Sequence, residues 1–151
     1  MDMKEIAPGM ELGLSDWLEI DQALIDRFAD LTKDWQFIHV DPVRAAETSL
    51  GGTVAHGFLT LSLASHLLAQ AVPTIGDGVR EGLNYGFDRL RFLAPVPAGA
   101  RIRGRFRLKG VQERGPGVRL LTLEMTIEIQ GGERPALVAD WLTMQRLDTS
   151  D

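Results

Sequence analysis

From Ala55 to Ala71 the chain reads "AHGFLTLSLASHLLAQA", and this stretch sets the strongest limit on the fold. Phe58, Leu59, Leu61, Leu63, Ala64, Leu67, Leu68, Ala69 and Ala71 leave a helix here no wide polar face. A helix apolar nearly all round has to be enclosed rather than laid on a surface. A bilayer is not the enclosure. The longest apolar run, residues 57–72, is interrupted by Thr60, Ser62, Ser65, His66 and Gln70 and is shorter than a membrane span requires. Protein must therefore wrap this helix, and Pro73 ends it.

The C-terminal half of the chain supplies the wrapping, because there the hydrophobic period switches to two. "LNYGFDRLRF", "ARIRGRFRLKGVQ", "GVRLLTLEMTIEIQ" and "PALVADWLTMQRL" read as four strands joined by turns such as "RGPG" and "QGGERP". In the third, Leu121, Leu123, Met125, Ile127 and Ile129 face one way, with Thr122, Glu124, Thr126 and Glu128 opposite. Upstream, "LGLSDWLEI" reads as a first strand. Asp21 caps a helix over "QALIDRFADLTK", and Asp41-Pro42 starts a short second one. One strand, helices and then an antiparallel meander predict an α+β fold. The expected form is a single hot-dog domain over residues 1–151, a curved antiparallel sheet wrapped around a long buried central helix, with residues 1–10 and 147–151 flexible.

Charge and composition narrow the function. With 16 Lys plus Arg against 21 Asp plus Glu, the net charge of -5 argues against a nucleic-acid partner. There is no cysteine, so disulfides, thiolate metal sites and thiol nucleophiles are excluded. "MDMKEIAPGMELG" has no apolar core of a secretory signal, and the expected location is the cytoplasm. Neither a membrane nor a nucleic acid is an expected partner.

"DWQFIHVD" sets Asp34, His39 and Asp41 among Trp35, Phe37, Ile38 and Val40, whose apolar character predicts at least half burial. Ionisable groups are costly to bury unless paired or used. On a continuous helix residues five apart diverge by roughly 140°, so Asp34 and His39 converge only if the first helix ends near Lys33. The loop would then carry a carboxylate and an imidazole aimed at one water, a plausible acid/base pair. The alternative is an aspartate capping backbone donors beside a satisfied core histidine. His39, Asp41 and His56 could serve as metal ligands, but no spacing matches a strong motif, and no metal is expected.

Downstream, Gly57 falls in the first turn of the enclosed helix, where backbone N–H groups lack acceptors and the dipole is positive. That suits the oxygen of a carbonyl gaining charge; the alternative is that Gly57 lets the helix pack closely on the sheet. His66 reads as a core or interface residue. Arg101, Arg103, Arg105 and Arg107 share one strand face, where Glu124 and Glu128 of the next strand are expected to pair with them.

These residues carry a resemblance. "DWQFIHVDPVRAAETSLGGTVAHGFLTLSL" is similar to the MaoC-like (R)-specific enoyl-CoA hydratases, particularly their nodulation-protein-N-like branch, and "LNYGFDRLRFLAPVPAGARIR" extends the likeness over nearly the whole chain. The family pattern is an Asp, a His five residues on, and a downstream His-Gly. It falls on Asp34, His39 and Gly57. Two departures are visible: Lys33 where many members have Gly, and Gln36-Phe37 where many have Asn-Pro.

The resemblance implies (R)-specific hydration of a trans-2-enoyl-CoA to the (R)-3-hydroxyacyl-CoA, or the reverse dehydration. Asp34 and His39 would be the catalytic pair and Gly57 the oxyanion donor. Gln36, His56, Phe58, Ser62 and Ser65 would contact substrate, although the two serine hydroxyls have the preceding helical turn as an alternative partner. No cofactor is implied beyond the CoA or acyl-carrier-protein thioester substrate itself, and the expected assembly is a homodimer joined at its sheet edges. Two alternatives stand beside this: a non-catalytic acyl-CoA- or acyl-carrier-binding hot-dog protein, and a hot-dog thioesterase.

Overall fold

The computed structural model describes residues 6–148, so the flexibility expected of residues 1–5 and 149–151 lies outside the described residues. Inside that range the ends are tied. Gly9 N–H donates to Leu108 O and Leu108 N–H to Met10 O, while Leu147 and Asp148 donate to Gly117 and Gly78.

Six strands form one antiparallel sheet: β1 (Glu11–Leu14), β2 (Leu18–Ile20), β3 (Val79–Phe92), β4 (Ala100–Gly115), β5 (Val118–Ile129) and β6 (Leu137–Leu147). Their order is β1-β4-β5-β6-β3, with β2 also on β4. Two expectations change. "LGLSDWLEI" is not one strand but two, since the chain breaks between Leu14 and Leu18 while both pieces pair with β4. The meander is β4-β5-β6 alone. β3 crosses to the far edge and pairs with β6 from Val79↔Leu147 to Phe92↔Leu137.

The pleat explains the core. Along β5, Leu121, Leu123, Met125 and Ile127 are fully buried, joined by Ile102, Phe106 and Leu108 from β4 and Leu137 from β6. They pack on Leu59, Ala64, Leu67 and Leu68 of the central helix. Close approach is permitted at Gly104, where a Cβ would come within 3.1 Å of Leu67 Cβ. On the outer face Arg103 and Arg105 reach Glu128 at 2.6 and 3.0 Å, and Arg105 also reaches Glu11 at 2.6 Å. Burial alone would raise the Glu128 carboxyl, but the hydrogen bonds from Arg103 and Arg105 outweigh it and hold it below its ordinary value. The arginine stripe is thus in part an ion-pair ladder.

The central helix is neither continuous nor enclosed on all sides. It runs as α4 (Gly57–Ser62) and α5 (Ala64–Ala71), interrupted at Leu63. Ser62 Oγ donates to Phe58 O at 2.6 Å, a back-bond of the kind that bends helices. The sheet covers Leu59, Leu67 and Leu68, while Phe58, Ser62, Ser65, His66, Ala69 and Gln70 are exposed. Ahead of it lie α1 (Gln22–Thr32), α2 (Phe37–Val40) and α3 (Pro42–Ala46).

Candidate functional site

Helix α1 begins where the Asp21 carboxylate accepts from Leu24 N–H at 2.8 Å, and it ends at Lys33. Lys33 sits in the left-handed region with φ 62°, and both its N–H and that of Asp34 turn back to Ala29 O. This cap swings the chain out of the helix and leaves the next residues free to converge. Asp34 Oδ1 accepts from Gln36 N–H at 3.3 Å, and one helical turn, α2, then brings His39 inward. The expected half burial holds only for the later part: Asp34, Trp35 and Gln36 are exposed, whereas His39 is 7% exposed.

Asp34 and His39 do come together, and His56 joins them. One carboxylate oxygen of Asp34 and one ring nitrogen from each histidine lie within 4.8 Å of one another. His39 Nδ1 is 2.7 Å from Val54 O. A carbonyl oxygen only accepts, so Nδ1 carries the proton and Nε2 presents a lone pair. Burial pushes the His39 imidazole below its ordinary value of 6.5; the Val54 hydrogen bond and Asp34 oppose this, and His56 adds to it. His39 is therefore a neutral base at pH 7.

His56 stacks on His39, with centroids 3.8 Å apart and planes 24° apart, and Phe28 packs against it at 5.0 Å. Its Nε2 meets Asp34 O at 3.0 Å. At 2% exposure it is buried, covered by His39, Phe28 and the Asp34 backbone. As a metal set, Asp34 takes the place expected for Asp41, whose carboxylate caps α3 by accepting from Arg44 N–H at 3.1 Å.

Gly57 follows His56 directly, occupies the first position of α4 and is exposed. It lines a cavity of about 200 Å³ together with Ala55, Thr60, Phe92, Val96 and Ala136. A Cβ here would stand 3.0 Å from two carbons of the Phe92 ring, so a side chain at this position would crowd both the cavity and its wall. Close approach of the central helix to the sheet thus occurs at both Gly57, against Phe92 of β3, and Gly104, against Leu67.

The remaining expected contacts are scattered. Phe58 is 66% exposed and stands edge-on to Phe92 at 6.0 Å. The Ser62 hydroxyl is engaged with Phe58 O. Ser65 lines a second hollow, of about 360 Å³, between α5 and the β3–β6 pair, with Leu68, Leu83, Trp141 and Thr143. The exposed Gln36 side chain makes no hydrogen bond among the described residues. His66 is exposed rather than a core residue.

One residue of the site was not visible in the sequence. Gln22 donates from Nε2 to His39 O at 2.7 Å, and its Oε1 accepts from Thr53 Oγ1, pinning α2 to the segment before α4. A glutamine after a helix cap carries no pattern that marks such a role.

The sequence matches the family model described as MaoC like domain over residues 4–126. It is 52% identical over 144 residues to "Nodulation protein N" of Rhizobium leguminosarum bv. viciae, covering 95% of this chain and 89% of that one. Over 134 residues it is 45% identical to "3-hydroxyacyl-thioester dehydratase Z" of Mycobacterium tuberculosis, covering 89% and 87%. Among solved structures, the (R)-hydratase from A. caviae involved in PHA biosynthesis superposes with a TM-score of 0.75 at 27% identity, over 93% of this chain and 97% of that one.

Proposed function

The chain belongs to the MaoC-like domain family and is a hydro-lyase, and on that premise we propose that it adds water across trans-2-enoyl-CoA to give the (R)-3-hydroxyacyl-CoA, or runs the reverse dehydration. The observation that carries this reading is the 2.7 Å contact of His39 Nδ1 with Val54 O, which sets the tautomer. Val54 O holds the proton on Nδ1 and leaves Nε2 unprotonated, and a ring nitrogen of His39 lies within 4.8 Å of an Asp34 carboxylate oxygen. A base and an acid/base partner at one point are what hydration requires.

Each residue then has a task. His39 Nε2 takes a proton from the water whose oxygen bonds to C3. The electrons of the C2–C3 double bond move toward the thioester oxygen, which the Gly57 N–H receives. The Asp34 carboxylate orients the water, accepts the proton held on His39 Nε2 and passes it to C2 as the enolate collapses, which returns both groups to their starting state. One water is consumed and no redox partner is needed. Withdrawal of an oxyanion donor of this kind costs about 2.7–4 kcal/mol of barrier. The hollow beside Ser65, lined by Leu68, Leu83 and Trp141, is the slot assigned to the acyl chain.

The working unit proposed is a cytoplasmic homodimer joined along β3. That edge strand is 14 residues long and exposes Leu83, Tyr85, Phe87 and Phe92, an arrangement that invites strand pairing. Among the described residues no helix is long and apolar enough to cross a membrane.

Crotonyl-CoA tests the reading when enoyl absorbance and free thiol are followed together. Loss of the enoyl signal without thiol release is expected. Thiol release would make the protein a thioesterase, and binding without either change would make it a non-catalytic acyl-thioester carrier.

A further inference from the structure

His56 is a buried ring to which the hydration steps assign no task. It lies among Asp34, His39 and Phe28 and is followed at once by Gly57. Its Nε2 faces a carbonyl oxygen, Asp34 O, so Nε2 carries the proton and donates it. Its Nδ1 is then an acceptor, buried and without a hydrogen-bond partner among the described residues. A ring kept in place with one nitrogen unsatisfied calls for a reason other than hydrogen-bond economy.

The reason lies in what the ring joins. Its donated bond lands on the main chain of the residue whose carboxylate works in the site. Its face supports His39 at 3.8 Å, and its own backbone caps α4 immediately before Gly57. Three parts that come from three elements therefore meet at one side chain. We propose that His56 is a positioning residue for the hydration reaction: through Nε2–H it fixes the Asp34 main chain, and through ring stacking it fixes His39, so that both face a common point beside the Gly57 amide. This rests on the hydratase reading. His56 touches no substrate; it acts through Asp34 and His39.

Substitutions separate the two contacts. His56→Gln retains an amide N–H in the place of Nε2, His56→Phe retains a ring against His39, and His56→Ala retains neither. Misplacing a catalytic group by about 1 Å can lower the rate roughly a hundredfold. His56→Ala should accordingly lower kcat about tenfold to a hundredfold with KM changed less than about twofold, and His56→Gln and His56→Phe, each keeping one contact, should each recover part of that loss. Wild-type kcat in His56→Ala, a loss carried by KM, or no recovery in either His56→Gln or His56→Phe would each overturn the proposal.

A second measurement does not depend on turnover. The chain has 3 histidines, so long-range proton–nitrogen spectra, assigned with a His66→Gln control, resolve each ring. His56 should carry its proton on Nε2 and His39 on Nδ1. Burial, the Val54 carbonyl, His56 and Asp34 act on the His39 titration, and that titration should move in His56→Phe but not in His66→Gln. An unmoved titration, or a His56 proton on Nδ1, overturns the positioning role. Absence of hydration in the wild type would instead overturn the functional reading.

Discussion

The β4–β5–β6 sheet and the segment from Lys33 to Gly57 are held together by different means. In the sheet, Phe106, Leu123 and Met125 are wholly enclosed, and long antiparallel ladders join neighbouring strands. In the segment, helices of 4 and 5 residues are fixed by side chains gripping backbone carbonyls: Gln22 on His39 O, His39 on Val54 O and His56 on Asp34 O. Area burial is non-directional and tolerant of small shifts, whereas hydrogen bonds to carbonyls set direction. The sheet stores stability and the segment stores aim, so damage to each should be read by a different instrument.

The largest expected effects test that division. Asp34→Asn and His39→Ala should each lower kcat by roughly 10²–10⁴-fold, the range of positioned acid/base groups. Asp34 is exposed, so Asp34→Asn should unfold close to wild type, whereas His39→Ala empties a buried ring position, frees Val54 O and should also cost about 1–3 kcal/mol. Phe106→Ala should do the reverse, costing about 3–5 kcal/mol of stability while leaving kcat per folded molecule near wild type. Steady-state kinetics and denaturant unfolding on all three variants suffice. An Asp34→Asn protein that unfolds early, or a core variant that loses kcat while folded, would break the division.

A smaller effect is read by pH. His39 in the folded protein titrates below 6.5, chiefly because of burial. Its base form therefore persists as pH falls below 6.5, and the acid limb of kcat/KM should lie under that value. Stability has the matching sign. Between the unfolded value and the lowered folded one, the unfolded chain binds more protons, so stability is full above pH 6.5 and falls as pH drops through this window. His39→Ala should lose that slope in melts compared between pH 7 and pH 5. An acid limb above 6.5 would mean that the Val54 carbonyl and Asp34 outweigh burial and hold the imidazole as a cation.

How far the sequence foretold this divides along the same line. β5 was legible because alternation is a local signal: Leu121 to Ile127 alternate in the chain and in burial. The Asp34–His39 convergence was legible too, since it needed only that α1 stop at Lys33, and Asp21 and Lys33 bracket that helix. The path of β3 was not, because its partner β6 lies some 50 residues on and no local pattern names a partner. Nor was the open side of the central helix: Phe58 and Ala69 look like core residues, and only the one-sided curve of the sheet leaves them exposed. His56 reads as a substrate contact in the sequence because it adjoins Gly57. Its burial depends on Phe28, which comes from α1, far away in the chain.

Lys33 gives the smallest prediction and joins the two regions' logic. It is the only non-glycine residue with positive φ among the described residues, and it stands where the resembling family often has glycine. A left-handed L-residue costs roughly 1–2 kcal/mol, and glycine's freedom in the unfolded chain takes back about 0.4–1. Lys33→Gly should then stabilise the protein by about 0.5–1 kcal/mol, raising Tm by a few degrees, with kcat unchanged because the same cap still delivers Asp34. Lys33→Ala, which keeps the strain, should leave Tm near wild type. Were Lys33→Gly to lower Tm, the cap would be held by the lysine side chain rather than endured by it. The aim of Asp34 would then depend on a contact outside its own loop.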